Sequence, residues 1–356
     1  MQELRIDPLT GLRVLVADER GERPGAWPAL EPRAAVDRDG DPFAEGNEDR
    51  TPPELYAVRP DGGAPDGPGW TVRVVPNAFP ALGGDGGGGA PGGVGGGTAG
   101  GDGGSAEPTG DPLASGRGQP ELLASRPATG AHEVIVNSPR PVDSLLDLGE
   151  EGLATAMEAW RERLRAHAGA ACRHLIVNEG GESGASLAHT HAQLFALPFV
   201  PAAIARERER FTAYHQRTQG RNLLEDLLTE EVRRNERVVI VDREAIVICP
   251  FAAAAPFQLQ LIPRRPAARF EDAGPLGAAA LYAALQRLAA LLGALPPFNL
   301  WLRTAPSGAE SFCWRIDLMP RLNQPGGLEL GAGLWLNAVA PERAAESLRA
   351  AGTAAA

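Results

Sequence analysis

The sequence predicts an α+β protein made of two copies of one unit, each an antiparallel sheet with a covering helix. Three observations carry that reading. Short segments with alternating β-branched residues, such as "HEVIVNSP" (132–139) and "HLIVNE" (174–179), read as strands. A longer one, "DLGEEGLATAMEAWRERLRAHAGA" (147–170), sets Leu153, Met157, Trp160 and Leu164 along one helical face. The order of these segments then recurs in the second half of the chain.

Taken in order, "WTVRVVPNAFPAL" (70–82) opens the first unit as a strand. Residues 83–118 are a Gly-rich tract with no apolar periodicity, which cannot repay the entropy of ordering and reads as a disordered insert. After "HEVIVNSP", the helix and "HLIVNE", residues Gly180 to Gly184 make a turn and "HTHAQLFALP" a further strand. A polar helix over 201–219 and another over 221–235 connect the units. The second unit has strands within 237–265, a helix over 273–295 and a strand, turn and strand from "FNLWLRT" to "FCWRIDLMPRL". "HEVIVNSPRP" parallels "FQLQLIPRRP", and "HLIVNE" parallels "NLWLRT". Anchoring Pro198 on Pro320 sets Ser311, Cys313 and Arg315 opposite His189, His191 and Gln193, so only the first copy holds histidines. The expected boundaries are 1–200 for the first repeat, 201–235 for the connecting helices, 236–349 for a degenerate second repeat and 350–356 for a tail.

Composition narrows the function. A net charge of −11 argues against a general nucleic-acid binder. All 34 cationic side chains are Arg, which fits GC-rich codon usage. Cys172, Cys249 and Cys313 are odd in number and form no CxxC pair, the pattern of a reduced cytoplasm. No apolar signal core opens the chain, and no run reaches the roughly 18 apolar residues of a membrane span.

The chemistry concentrates in "GASLAHTHAQLFALP" (184–198), where His189, His191 and Gln193 occupy every second position and share one strand face. Two imidazoles could begin a metal site, but Gln is a poor third ligand and no other His or Cys lies nearby. A neutral imidazole can instead attack phosphorus when its other nitrogen donates to a backbone carbonyl. The Gln193 amide would then donate to a phosphoryl oxygen without delivering a proton to a leaving group. Spacing alone leaves nucleophilic and structural histidines equally open.

The stretch "VNEGGESGASLAHTHAQLFALPFVP" resembles the active-site signature of the galactose-1-phosphate uridylyltransferase family, within the histidine-triad superfamily. Its pattern is an Asn, a Gly-rich turn and G-x-S-x-x-H-x-H-x-Q. Further blocks agree in order, among them "RIDPLTGLRVLVADERGERPG" (5–25), "GNEDRTPPE" (46–54), "VRVVPNAFPAL" (72–82), "APFQLQLIPR" (255–264) and "GGLELGAGLWLNAVAPERAAESLR" (326–349). The resemblance implies two histidine-triad-like repeats. It also implies a cytoplasmic nucleotidyltransferase working between a nucleoside diphosphate sugar such as UDP-glucose and a hexose 1-phosphate, through a covalent nucleotidyl-histidine. Orthophosphate as acceptor, or a non-catalytic nucleotide-sugar binder, are the alternatives. A homodimer is the implied assembly, with neither nucleic acid nor membrane as partner.

On the matching positions, the resemblance makes His191 the nucleophile and Gln193 the holder of the phosphoryl group. Asn178, Gly184 and Ser186 match phosphate contacts, and His189 belongs to the same substrate-binding set. Arg20 and Arg23 match arginines near the nucleotide phosphates, though alone they read as surface arginines. Asn77 matches a nucleotide contact and Glu329 a hexose-binding carboxylate. Many members open the GNED block with "CPFCPGNED", whereas this chain has "DPFAEGNED", with Asp41 and Ala44 in place of the cysteines. Pro141 stands where the next zinc ligand would be, leaving only His189 of four. Ser311, Cys313 and Asp317 occupy the region of a second family metal. No cofactor is therefore expected, although zinc is common in the family. The expected substitute is packing by Phe43 and hydrogen bonding by Asp41.

Overall fold

The computed structural model describes residues 2–19, 30, 36–83, 122–123 and 125–354. Arg20, Arg23 and nearly all of the 83–118 tract lie outside the described residues.

The first unit contributes strands β1 (Gln2–Ile6), β2 (Arg13–Ala17), β3 (Tyr56–Val58), β4 (Val72–Pro76) and β5 (Ala131–Val136). Helix α1 (Gly149–Ala166), β6 (Cys172–Glu179) and β7 (His191–Leu197) complete it, and α2 (Ala202–Arg217) and α3 (Leu223–Arg234) follow. Asn222 caps α3, its side chain accepting from the Leu224 and Glu225 amides. The second unit has β8 (Val238–Val241), β9 (Ala245–Ile248), β10 (Leu259–Pro263), α4 (Ala278–Leu292), β11 (Phe298–Arg303) and β12 (Arg315–Pro320). The chain ends with α5 (Gly327–Ala332), β13 (Leu334–Asn337) and α6 (Pro341–Ala354).

The two units do not keep separate sheets. They fuse into one ten-stranded sheet, ordered β3-β4-β5-β7-β6-β11-β12-β10-β9-β8. Read inward from each edge, the halves match strand for strand, with β7 answering β12 and β6 answering β11. The seam is the antiparallel β6–β11 pair, where Asn178 faces Asn299 and Ile176 faces Trp301. This symmetric order is what a duplicated unit produces when its two copies join at one edge and remove two unpaired strands from solvent. A second, three-stranded sheet pairs β1 with β2 antiparallel and β2 with β13 in parallel, bringing the two ends of the chain together.

One face of the large sheet carries the main core. Leu153, Met157, Trp160 and Leu164 of α1, and Leu281, Leu285 and Leu288 of α4, pack over Leu175, Val177, Ala192, Leu194, Leu300, Leu302, Ile316 and Leu318. Strand alternation then assigns the opposite face to His191, Gln193, Asn178, Asn299, Trp301 and Asp317. On that side Phe211 of α2 and Leu224 and Leu228 of α3 pack on the second half, beside Ile246, Ile248 and Phe312. The helices that bury one face thus leave the polar row on the other.

Candidate active site

The turn before β7 is built to present the histidine row. Gly180 and Gly184, at φ 82° and 86°, flank a single 3-10 turn over 181–183 and hold left-handed conformations that glycine adopts without strain. A Cβ on Gly180 would sit 2.7 Å from Pro297, so the seam also demands a residue without a side chain there. Behind the turn, the buried Glu179 accepts from the Leu145 amide at 2.7 Å and from Thr190 Oγ1 at 2.8 Å. Trp160 Nε1 donates to Asn137 Oδ1 at 3.0 Å, and Asn137 Nδ2 to Thr190 Oγ1 at 3.3 Å. This chain of bonds pins Thr190, so the residues on either side of it face the cleft side.

Strand β7 begins at His191, two residues later than the sequence implies, and His189 lies in the approach to it. His191 Nδ1 donates to the His189 carbonyl at 2.7 Å. The proton is thereby fixed on Nδ1, and Nε2 keeps its lone pair. Burial pushes the imidazole below the ordinary histidine range, against the opposing effect of the carbonyl bond. His191 is thus a buried, neutral base with one free nitrogen. Gln193, half-buried, has its Oε1 3.0 Å from His132 Nε2.

His189 behaves differently. Its Nδ1 meets Asp41 Oδ2 at 2.6 Å and its Nε2 meets the Ser138 carbonyl at 2.9 Å. Asp41 Oδ1 also accepts from the Phe43 amide at 2.9 Å. The Phe43 ring lies edge-on to both imidazoles, with centroids 6.1 Å from His189 and 5.2 Å from His191. Both His189 nitrogens face oxygen acceptors, and Ala44 beside them offers no donor atom. This set does not fit a zinc site. Asp41, Phe43 and His189 form a closed buried cluster that supports the row.

The other expected residues are distributed around this row. Asn178 lies on β6, its Oδ1 accepting from Asn299 Nδ2 at 2.8 Å, while Asn299 also donates to the Ser183 carbonyl at 2.8 Å. Asn299 thereby orients the Asn178 amide and ties the second half to the turn. Gly184 and Ser186 are exposed on the turn. Asn77 is linked to the row through His132, whose Nε2 lies 3.1 Å from Asn77 Nδ2. Glu329 stands apart from them in α5, where its carboxylate accepts from the Gly326 amide at 2.8 Å and caps its own helix. It lines a small depression with Asn323, Trp335 and Arg321. A cavity of about 500 Å³ lies on the polar face of the second half, bordered by Asn178, Asn299, Trp301, Asp317, Arg321 and Trp335; it reaches the first half at Asn178 and is not lined by His191 or Gln193. His132 and Asn299 were not singled out from the sequence. Their signal was their place at the start of "HEVIVNSP" and "NLWLRT", segments matched between the two copies; Asn299 pairs with Asn178, and His132 pairs with Phe195, two residues from Gln193.

In the second half the equivalent positions are closed by charge. Glu207 of α2 accepts from Arg303 Nε at 3.1 Å and from Arg315 Nη2 at 2.9 Å. Gln260 Nε2 donates to Asp317 Oδ1 at 2.7 Å, and Asp317 Oδ2 lies 3.0 Å from Arg315 Nε. Burial pushes the Cys313 thiol up to about 11, so it is protonated near neutral pH.

Residues 107–201 match the family model described as the N-terminal domain of galactose-1-phosphate uridyl transferase. An ADP-glucose phosphorylase of Arabidopsis thaliana is 27% identical, the alignment covering 98% of this chain and 92% of that protein. A probable galactose-1-phosphate uridylyltransferase of Drosophila melanogaster is 26% identical over 97% of this chain and 94% of its own length. The crystal structure of an Arabidopsis thaliana ADP-glucose phosphorylase with bound ADP-glucose superposes with a TM-score of 0.73 at 25% identity, covering 98% of this chain and 99% of that one.

Proposed function

We propose that this chain, a nucleotidyltransferase similar to the galactose-1-phosphate uridylyltransferases, works through a covalent nucleotidyl-His191 intermediate, moving a uridylyl group between UDP-glucose and a hexose 1-phosphate. One observation carries this reading: His191 donates Nδ1–H to the His189 carbonyl while burial keeps the ring neutral, so Nε2 is an aimed lone pair.

In the first step Nε2 attacks the α-phosphorus in line. The Nε2–P bond forms as the bond to the bridging oxygen breaks, and glucose 1-phosphate leaves. The charge gained by the imidazole is stabilised through the existing Nδ1–H bond to the His189 carbonyl. Gln193 and Asn178 offer amide hydrogens to the non-bridging oxygens, and the 180–186 turn supplies backbone donors. In the second step a phosphate oxygen of the incoming hexose 1-phosphate attacks the same phosphorus and releases His191. Catalysis then consists of alignment and of donors already in place. No metal enters either step, in keeping with the engagement of both His189 nitrogens.

A second acceptor, orthophosphate, is favoured by the ADP-glucose phosphorylase match across 98% of the chain. It shares the first step and changes only the attacking phosphate. The test is exchange of labelled glucose 1-phosphate into UDP-glucose or ADP-glucose with no other acceptor present, followed by addition of galactose 1-phosphate or orthophosphate in separate arms. The expected result is exchange, with product formed in the galactose 1-phosphate arm. Turnover with an acceptor but no exchange without it would mean direct displacement and would defeat the covalent route.

A further inference from the structure

We infer that His132 is a positioning residue, which decides which end of the Gln193 amide faces the transferring phosphoryl group. The inference rests on the reading of Gln193 as the residue that holds that group.

Strand β5 pairs with β7 so that His132 faces Phe195 and Val134 faces Gln193. The imidazole stacks on the Phe195 ring, with centroids 4.1 Å apart and planes 24° from parallel, which fixes the plane of the ring. The Ala81 amide donates to His132 Nδ1 at 3.2 Å. A backbone N–H can only donate, so Nδ1 carries the lone pair. Burial holds the His132 ring below the ordinary histidine range, although its bond to Gln193 works the other way. The neutral ring therefore has its single proton on Nε2. That nitrogen lies 3.0 Å from Gln193 Oε1, so the bond runs from His132 to the amide oxygen. The Gln193 NH₂ is then turned away from His132, free to donate to a phosphoryl oxygen.

The lock matters because the two ends of an amide have nearly the same shape and opposite hydrogen-bonding character. A flipped Gln193 would set a carbonyl oxygen against the phosphoryl oxygens and repel the charge it should stabilise. Asn77 is placed by the same logic. Its Oδ1 accepts from the Phe79 amide at 2.8 Å, which turns Nδ2 towards His132 Nε2 at 3.1 Å. A nitrogen that bears its own proton cannot accept from Asn77, so this approach brings two donors together and gives the Asn77 amide no acceptor in His132. One backbone amide, at Ala81, thus sets a tautomer, and the tautomer orients Gln193.

The test compares the wild-type protein with His132→Asn, His132→Gln, Gln193→Ala and the His132→Asn/Gln193→Ala double variant. The readouts are the rate of adduct formation with UDP-glucose in a single turnover, the KM for UDP-glucose, and the melting temperature. Asn keeps an acceptor for Ala81 but falls short of Gln193, whereas Gln extends an NH₂ towards Oε1. Removing one donor to a developing charge costs about 10²–10³ in rate, and an amide left free to flip keeps part of its effect. His132→Asn should therefore slow adduct formation roughly tenfold, with KM and melting temperature little changed, and His132→Gln should recover most of the rate. In the Gln193→Ala background, His132→Asn should have no further effect, since the two residues act as one unit. A wild-type rate in His132→Asn, or an equal loss in both backgrounds, would overturn the inference. If His132→Asn does not fold, a His132→Gln rate as low as that of Gln193→Ala does the same. Absence of an adduct in the wild-type protein would instead sink the nucleotidyl-histidine reading, and the inference with it.

Discussion

The two halves of the large sheet share one order of elements and have opposite polar centres. In the first, His191 is a buried neutral imidazole with a free nitrogen, flanked by amides whose donors face outward. In the second, the position matching Gln193 is Arg315, and its charge is consumed by Glu207 and Asp317. Cys313, matching His191, is buried and protonated. On the proposed reading the same backbone serves once as a reaction site and once as a clamp, holding α2 against β11 and β12. What distinguishes the copies is whether a side chain's hydrogen-bonding capacity is spent within the protein or kept for a ligand. A site requires both a spent half, which orients it, and an unspent half, which does chemistry.

The clamp gives the largest expected effect on stability. Burial opposes the Glu207 charge, but the Arg315 and Arg303 guanidiniums outweigh it and hold the carboxyl below the ordinary range. Its contribution is therefore present at neutral pH and is lost as pH falls through that depressed value. Glu207→Ala would remove the carboxylate shared by the buried Arg315, which keeps Asp317, and the partly exposed Arg303, a change that costs about 3 kcal/mol. Chemical denaturation should register that loss, while Cys313→Ala changes neither adduct formation nor exchange. Should Cys313→Ala abolish transfer, the second half would be a reaction site as well, and the contrast between the copies would fail.

A smaller effect tests the first half. The attacking form of His191 is neutral, and burial lowers its proton affinity below that of a free histidine, for which half-protonation falls near pH 6.5. The second-order rate of adduct formation should accordingly be level near pH 8 and reach half of that level only below about pH 6.5. An acid limb centred above pH 7 would show that the ring is charged where it needs to be neutral.

Much of this arrangement was readable from the sequence because local periodicity encodes it. The two-residue alternation of "HEVIVNSP" and the apolar stripe Leu153, Met157, Trp160 and Leu164 fall in β5 and α1 as expected. The recurrence of these patterns carried the duplication. Edge pairing leaves no such trace, so the fusion of the halves through β6 and β11 was not foreseen. Nor was the three-stranded sheet, whose parallel β2–β13 pair joins Arg13 to Leu334. The residues that aim the site were hidden for the same reason. His132 and Gln193 are 61 positions apart, and Asn178 and Asn299 are 121 apart. Asp41 and Phe43 could be proposed as a support for His189 because two absent cysteines pointed to that region. Glu329 matched by pattern, yet it caps α5, and its assignment to a hexose rests on the resemblance alone.

The central claim is that His191 becomes covalently nucleotidylated, and intact-mass measurement followed by peptide mapping tests it directly. After mixing with UDP-glucose and rapid quenching at alkaline pH, the wild-type protein should gain one uridylyl group, located on the peptide containing "HTHAQ". His191→Ala should gain none and should lose both exchange and transfer. A label on any other residue, or full steady-state turnover by His191→Ala, would contradict the account.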